Sequence, residues 1–445
     1  MSEPVLITGY GWVSPLGNSA QVFDKNLFEG HSAVVPRLVE LPGQPPVYLP
    51  VAPCDFDHLT VQSVSKVPLD RAAAMALTAA KDALAHAGLA SLKDQGSGTL
   101  PSFELNMQGI DPTRVGVFWG SGMAGAFSFD QSAEQIYLHS KRIRPTSVVT
   151  IMPNSAAAEL ALLIKAQGAC MTYACACASS SVAMGEALRA LRAGWLDLAL
   201  VGGSEAMLTS GVLASWNALR VLSPLKGTDA DQDAANSCRP FSLDRSGFAL
   251  GEGAGAFILE RRGHAISRGI RPNTQSSIQS KTESKTQSIA KLSGYATNCD
   301  ATHMTLPDAA GQVRALKGAL KDANLNPSDI GYVNAHATAT TAGDSAEVLS
   351  VGEVLGAQVP ISSTKAQFGH MLGAAGALEL IAALRALELQ KLPPNAHLSK
   401  ESTDPQFKLN FVGTKGESSA LRHVLSNSFA FGGTNAVLIA SLDEQ

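Results

Sequence analysis

The chain has 445 residues, 45% of them hydrophobic and 6% aromatic, with 40 glycines and a formal net charge of −4. That composition excludes a disordered chain and gives no electrostatic argument for nucleic-acid binding. No apolar run is long enough to span a bilayer, and six cysteines in this length make no disulfide framework, so a reducing cytoplasm is expected.

The opening M-S-E-P-V-L-I-T-G reads as a strand start, Val5 to Thr8, and not as a signal peptide. A helix is expected over Ala20 to Phe28. The proline-rich Pro36 to Pro53 reads as a surface excursion. Asp70 to Ala87 predicts an Ala-rich amphipathic helix ending near Gly88, and the Gly/Ser-containing stretch from Ala90 to Gly109 a loop. Val115 to Trp119 predicts a strand closed by G-S-G, and Ala156 to Ala166 a helix.

The stretch from Thr172 to Glu205 then reads as a turn, a helix and a buried strand. Ser179, Ser180 and Ser181 suit a helix N-terminus, and Val182, Met184, Ala187, Leu188 and Leu191 follow the helical period. Leu196 to Val201 is a short apolar run closed by Gly202 and Gly203, as in a covered parallel strand. Cys177 falls at the start of that helix, where free N–H groups and the helix dipole favour a thiolate near neutral pH. Cys175 reads as a packing residue. Cys170, Cys175 and Cys177 have no common zinc spacing, so no metal is expected.

Arg239 to Glu260 is a Gly-rich turn leading into a strand, Ala256 to Glu260. Asn273 to Ser288, rich in Ser, Thr, Gln and Lys, has no apolar period and reads as an exposed insertion. After it the pattern repeats. A-A-K-D-A-L-A-H-A-G-L (79–89) matches A-L-K-G-A-L-K-D-A-N-L (315–325), and each precedes an Asp/Asn-Pro turn and a strand. The repeat implies two similar halves, 1–260 and 261–445, with helices stacked between two sheets.

Three clusters follow in the second half. Y-V-N-A-H-A-T-A-T-T-A-G-D-S-A-E holds His336, Thr338, Thr340, Asp344 and Glu347, with His336 at a strand end. I-S-S-T-K-A-Q-F-G-H-M-L-G-A-A-G-A-L-E holds Lys365, His370 and Glu379. N-S-F-A-F-G-G-T-N places Phe431 before Gly432 and Gly433.

With A-C-A-S-S, these clusters resemble the elongating β-ketoacyl-acyl carrier protein synthases over nearly the whole chain. The resemblance implies an α/β thiolase fold, a duplicated five-layer α-β-α-β-α architecture. It implies that Cys177 takes an acyl group from a thioester and that malonyl thioester then loses CO2 to give the attacking enolate. It places His336 and His370 as donors to the thioester oxygen, Lys365 beside them with Glu379 balancing its charge, and Phe431 as gate. The N–H groups of Cys177 and Phe431 would form the oxyanion hole, and Thr338 and Thr340 would bind pantetheine. The substrates ride on the phosphopantetheine of acyl carrier protein, and no separate cofactor is implied.

The sequence departs from the family pattern where Ala337, Ala339 and Ala430 stand at glycine positions, and where Ala169 follows Gly168. The alternative is a ketosynthase of a secondary polyketide or aryl polyene pathway, paired with a related chain-length subunit. Family members are homodimers. Leu196 to Val201 and Thr146 to Met152 are expected at that interface, with Ile151 and Met152 setting acyl-pocket depth. Lys66, Arg71, Lys141, Arg142 and Arg220 are expected to meet the acidic carrier.

Overall fold

The computed structural model describes residues 3–93, 102–225, 230–271 and 287–443. The segment Asn273 to Ser288 lies outside the described residues, apart from its last two. No helix among the described residues is long and apolar enough to cross a membrane.

Ten strands form the frame. The first half supplies β1 (Val5–Val13), β2 (Val115–Gly120), β3 (Cys170–Tyr173), β4 (Leu198–Glu205) and β5 (Gly253–Arg261). The second supplies β6 (Ala290–Cys299), β7 (Tyr332–Asn334), β8 (Pro360–Ser362), β9 (His423–Phe429) and β10 (Thr434–Ser441). Spatial order is β3-β2-β4-β5-β1 in one half and β8-β7-β9-β10-β6 in the other, the same permutation twice. In each half the three strands nearest the outer end run parallel and the last-threaded strand runs antiparallel to its neighbours. The halves join where β1 pairs with β6, Leu6 opposite Lys291 and Ile7 opposite Ala290.

Six helices complete the layers: α1 (Arg71–His86), α2 (Ser155–Ile164), α3 (Ser179–Arg192), α4 (Ala309–Ala323), α5 (Thr341–Leu355) and α6 (Ala375–Leu389). The repeat seen in the sequence is α1 and α4. Each starts on an aspartate whose side chain accepts the N–H two residues on, Asp70 from Ala72 and Asp308 from Ala310. Helix α1 packs on β1 and β5, and α4 on β6 and β10, as outer layers. Helices α3 and α6 touch strands of both halves and form the central layer. They cross closely because Gly376 has no side chain; a Cβ there would meet Ser181 Oγ at 2.1 Å. Both sheet faces are therefore covered, so β1 and β4 are buried at every position. Truncating a wholly buried central residue such as Leu378 to Ala would cost about 2–5 kcal/mol.

Several sequence expectations change. Pro36 to Pro53 is not irregular: Val35–Val39 pairs antiparallel with Val47–Ala52, which then pairs with Leu250–Gly251. Ala90–Lys93 and Ser102–Leu105 also pair. Alternating short apolar stretches found partners that proline and serine content hid. Leu196 to Val201 is no edge, because β4 lies between β5 and β2. In Thr146 to Met152, the other segment expected at the interface, Ser147–Ile151 is a short helix with Val148 67% exposed. The uncovered edge of the first half is β3, whose outer residues Cys170 and Met171 are exposed. The matching edge of the second half, β8, is covered by Asn410–Phe411.

Candidate active site

Cys177 lies in a tight turn, Ala176–Ala178, between the edge strand β3 and α3. Ala176 holds φ +46°, a left-handed conformation costly for a residue with a Cβ. Ser179 Oγ secures the turn by accepting the Cys175 N–H at 2.9 Å and donating to the Ala176 carbonyl at 2.6 Å. The turn aims Cys177 at the second half. Cys175 instead packs against the core at the side.

His370 Nε2 meets Cys177 Sγ at 3.0 Å. His336 lies edge-on to His370, ring centroids 5.3 Å apart. It sits in the loop between β7 and α5, where Glu347 accepts the N–H groups of His336 at 2.9 Å and Ala337 at 2.6 Å. Lys365 Nζ donates to His336 Nδ1 at 3.3 Å and forms a fully buried ion pair with Glu379 of α6. The structure thus brings Cys177, His336, His370, Lys365 and Glu379 together. The backbone N–H groups of Phe431 and of Cys177 itself face the sulfur.

Burial is the main electrostatic influence. It pushes the Cys177 thiol up to about 12, against the Lys365 ammonium and the facing N–H groups. The helix N-terminus therefore does not by itself leave a standing thiolate, as the sequence position suggested. The nearest proton acceptor is His370. Burial, then Lys365 and His370, holds His336 well below the ordinary histidine value; burial and Lys365 do the same to His370. Both imidazoles are neutral near pH 7. Burial also raises Glu379, opposed by Lys365.

A cavity of about 250 Å³ opens onto the sulfur. Thr338, Thr340, His336, His370, Trp216 and Phe431 are among its walls. The hydroxyls of Thr338 and Thr340 lie 3.0 Å apart. Between them Ala339 holds φ +62°, so the alanine at this glycine position is accommodated with strain. Phe431 stacks on Trp216 at 6.2 Å, Trp216 meets Phe248 edge-on at 5.9 Å, and Phe248 meets His370 edge-on at 5.2 Å. Ile151 and Met152 do not line this cavity.

The ligating atoms of Cys177, His336 and His370 lie within 4.8 Å of one another. Zinc accepts such donors in kind. The Lys365 ammonium beside His336 opposes a further cation there.

Trp216, Phe248 and Glu347 support the site without having been given roles from the sequence. Glu347 stood in the histidine cluster; the aromatic pair had no local signal. Arg71, expected at a carrier surface, is instead tied to Glu252 in a largely buried ion pair at 2.6 Å. Lys66, Lys141 and Arg142 line one groove of about 1090 Å³, while Arg220 is exposed beside Leu219 and Val221 at the cavity.

Residues 2–265 match the family described as "Beta-ketoacyl synthase, N-terminal domain", and residues 289–399 match "Beta-ketoacyl synthase, C-terminal domain". Nodulation protein E of Rhizobium leguminosarum bv. trifolii is 34% identical, across 98% of this chain and 99% of its own. 3-Oxoacyl-[acyl-carrier-protein] synthase 2 of Staphylococcus aureus (strain COL) is 30% identical, across 98% of each. Among solved structures, a chain from a type II polyketide synthase acyl-carrier protein in complex with its ketosynthase, bound to the hexaketide, superposes with a TM-score of 0.83 at 28% identity and covers 100% of both chains. Fold, halves and relatives agree: the chain belongs to the β-ketoacyl synthase family and has the duplicated five-layer thiolase architecture.

Proposed function

We propose that this protein elongates acyl chains by decarboxylating Claisen condensation, joining an acyl thioester to malonyl-acyl carrier protein to give 3-oxoacyl-acyl carrier protein. The observation that carries this is the 3.0 Å contact between Cys177 Sγ and His370 Nε2, with a second neutral histidine beside it. In the first step Cys177 attacks the thioester carbonyl. His370 relays the thiol proton to the departing pantetheine sulfur, and the N–H groups of Cys177 and Phe431 bind the oxyanion. In the second, malonyl thioester loses CO2, and the enolate oxygen accepts hydrogen bonds from His336 and His370. The enolate carbon attacks the acyl carbonyl, and collapse expels the Cys177 sulfur. Neutral donors suit this step, since a carboxylate there would repel the developing charge. Lys365 and Glu379 orient His336, Thr338 and Thr340 hold pantetheine, and Phe431 gates the channel. The nucleophile belongs to half 1–260 and both histidines to half 261–445. No metal or further cofactor takes part.

The partner is acyl carrier protein, and the compartment the cytoplasm. A homodimer formed across β3 would cover an apolar face that runs from Met171 through the helices to Val148, Val149 and Tyr137, which is 80% exposed. Ile151 and Met152 would then contribute to acyl-pocket depth at the interface. The second reading is a secondary-pathway ketosynthase paired with a related subunit; the polyketide ketosynthase likeness and the alanines at the gate favour it. Incubation with acyl-carrier substrates of graded length and malonyl-carrier protein tests both. 3-Oxoacyl-carrier products two carbons longer than saturated acyl substrates, and a dimer of this chain alone, support the first reading. Activity only with a second subunit supports the second, and no carbon–carbon bond formation with either sinks both.

A further inference from the structure

The two halves carry the same backbone elbow. Ahead of α3, Ala176 turns at φ +46° and Cys177 follows; ahead of α6, Leu372 turns at φ +43° and Gly373 follows. Gly373 is therefore the counterpart of the nucleophile in the duplicated half. Its N–H, the counterpart of one oxyanion donor, donates to Glu205 Oε2 at 3.0 Å. The same carboxylate accepts Gly122 N–H at 2.6 Å, Met123 N–H at 3.1 Å and the Ser121 hydroxyl at 3.1 Å. Glu205 is wholly buried at the end of β4. A Cβ on Gly373 would lie 2.1 Å from Gly122 N and 2.6 Å from Glu205 Oε2, so no second side chain fits there. A buried carboxyl group fills the mirror of the oxyanion position.

The placement matters because Cys177 and His370 come from different halves. Their contact exists only if the halves keep register. Glu205 and the Ser121–Met123 loop belong to the first half; the Leu372–Ala374 elbow belongs to the second and begins two residues after His370. We infer that Glu205 is a positioning residue: its carboxylate clamps that elbow to that loop and so holds His370 Nε2 at the Cys177 sulfur. Burial pushes the Glu205 carboxyl up to about 7, opposed by these donors, and the clamp's strength lies in two oxygens that together accept N–H and O–H donors from both halves. Glutamine would turn an NH2 group toward backbone donors and break part of it.

This inference rests on the two-step reading above. The test is a double-mutant cycle on the full chain, with CO2 release from malonyl-carrier protein as the readout. Glu205→Gln should lower kcat about tenfold or more in the wild-type background, with KM changed less than twofold. In a His370→Ala background it should lower the residual rate less than twofold, because the residue through which it acts is gone. An equal loss in both backgrounds would mean a general structural role and overturn the inference, as would no loss in either. Ser121→Ala, which removes one donor, repeats the cycle with an expected loss of about threefold should the Gln variant not fold. Wild-type protein that releases no CO2 would overturn the underlying reading instead.

Discussion

Lys365 donates from Nζ to His336 Nδ1 at 3.3 Å, and this contact decides the tautomer of the histidine. An ammonium has donors only, so Nδ1 is the acceptor and the His336 proton sits on Nε2, the other ring nitrogen. The neutral imidazole is thereby a donor, as an enolate oxygen requires.

Lys365→Met should therefore abolish CO2 release and also destabilise the fold by about 3–5 kcal/mol, because Glu379 is left buried and unpaired. Lys365→Met with Glu379→Leu should recover most of the stability in urea unfolding but not the decarboxylation. A double variant with wild-type CO2 release would disprove the orienting role.

Cys177→Ala should lose all acyl-enzyme, while Cys175→Ala keeps it. Intact-protein mass spectrometry after incubation with acyl-carrier protein reads the adduct. The elbow aims one thiol at the histidines and leaves the other against the core. An acyl group found on Cys175 would sink this assignment.

His336→Ala and His370→Ala should each lose decarboxylation by about 10²-fold or more. Acylation should survive in the His336 variant and slow further in the His370 variant, whose imidazole touches the sulfur. Complete and equal loss of acylation in both would contradict the division of roles.

Both histidines are held well below the ordinary histidine value of about 6.5, chiefly by burial. Condensation should persist as pH falls through 6.5 and fail only below it. The stability sign follows from the same shift. The unfolded chain binds these protons near pH 6.5 and the folded one does not, so their contribution is complete above that pH. It is lost progressively as pH falls toward the folded values. A kcat profile with its acid limb centred at 6.5 would show that the imidazoles are not shielded.

Lys141→Glu with Arg142→Glu should raise KM for acyl-carrier protein several-fold and leave acylation by a small acyl thioester unchanged. Both residues are exposed and share a groove with Lys66. Equal losses with both substrates would make the patch structural. Arg71 is left out because Glu252 already holds it.

Much of this architecture could be read directly from residues. The helical period of α3, the Asp-capped repeat of α1 and α4, and the glycine-closed strand β4 are local patterns, set by side chains a few positions apart. The short pairings were harder. Val35–Val39 and Val47–Ala52 hold prolines, and their strand character came from a third partner, Leu250–Gly251, about two hundred residues away. The edge position was unreadable for a related reason. Leu196 to Val201 looks like any apolar strand, and only the order of strands in the sheet shows that both its sides are taken.

Which residues could carry the chemistry is legible along the chain: a thiol before a serine-rich helix start, two histidines, a lysine and a phenylalanine ahead of paired glycines. Which atoms meet is a matter of how the halves pack. Cys177 and His370 are 193 residues apart, and Lys365 faces His336 across 29. Their contact depends on two sheets sharing one central helix layer, which no local period encodes. The same packing removes water from the site. That desolvation, the largest influence on the thiol and both imidazoles, depends on total burial and so exists only once the halves have closed on each other.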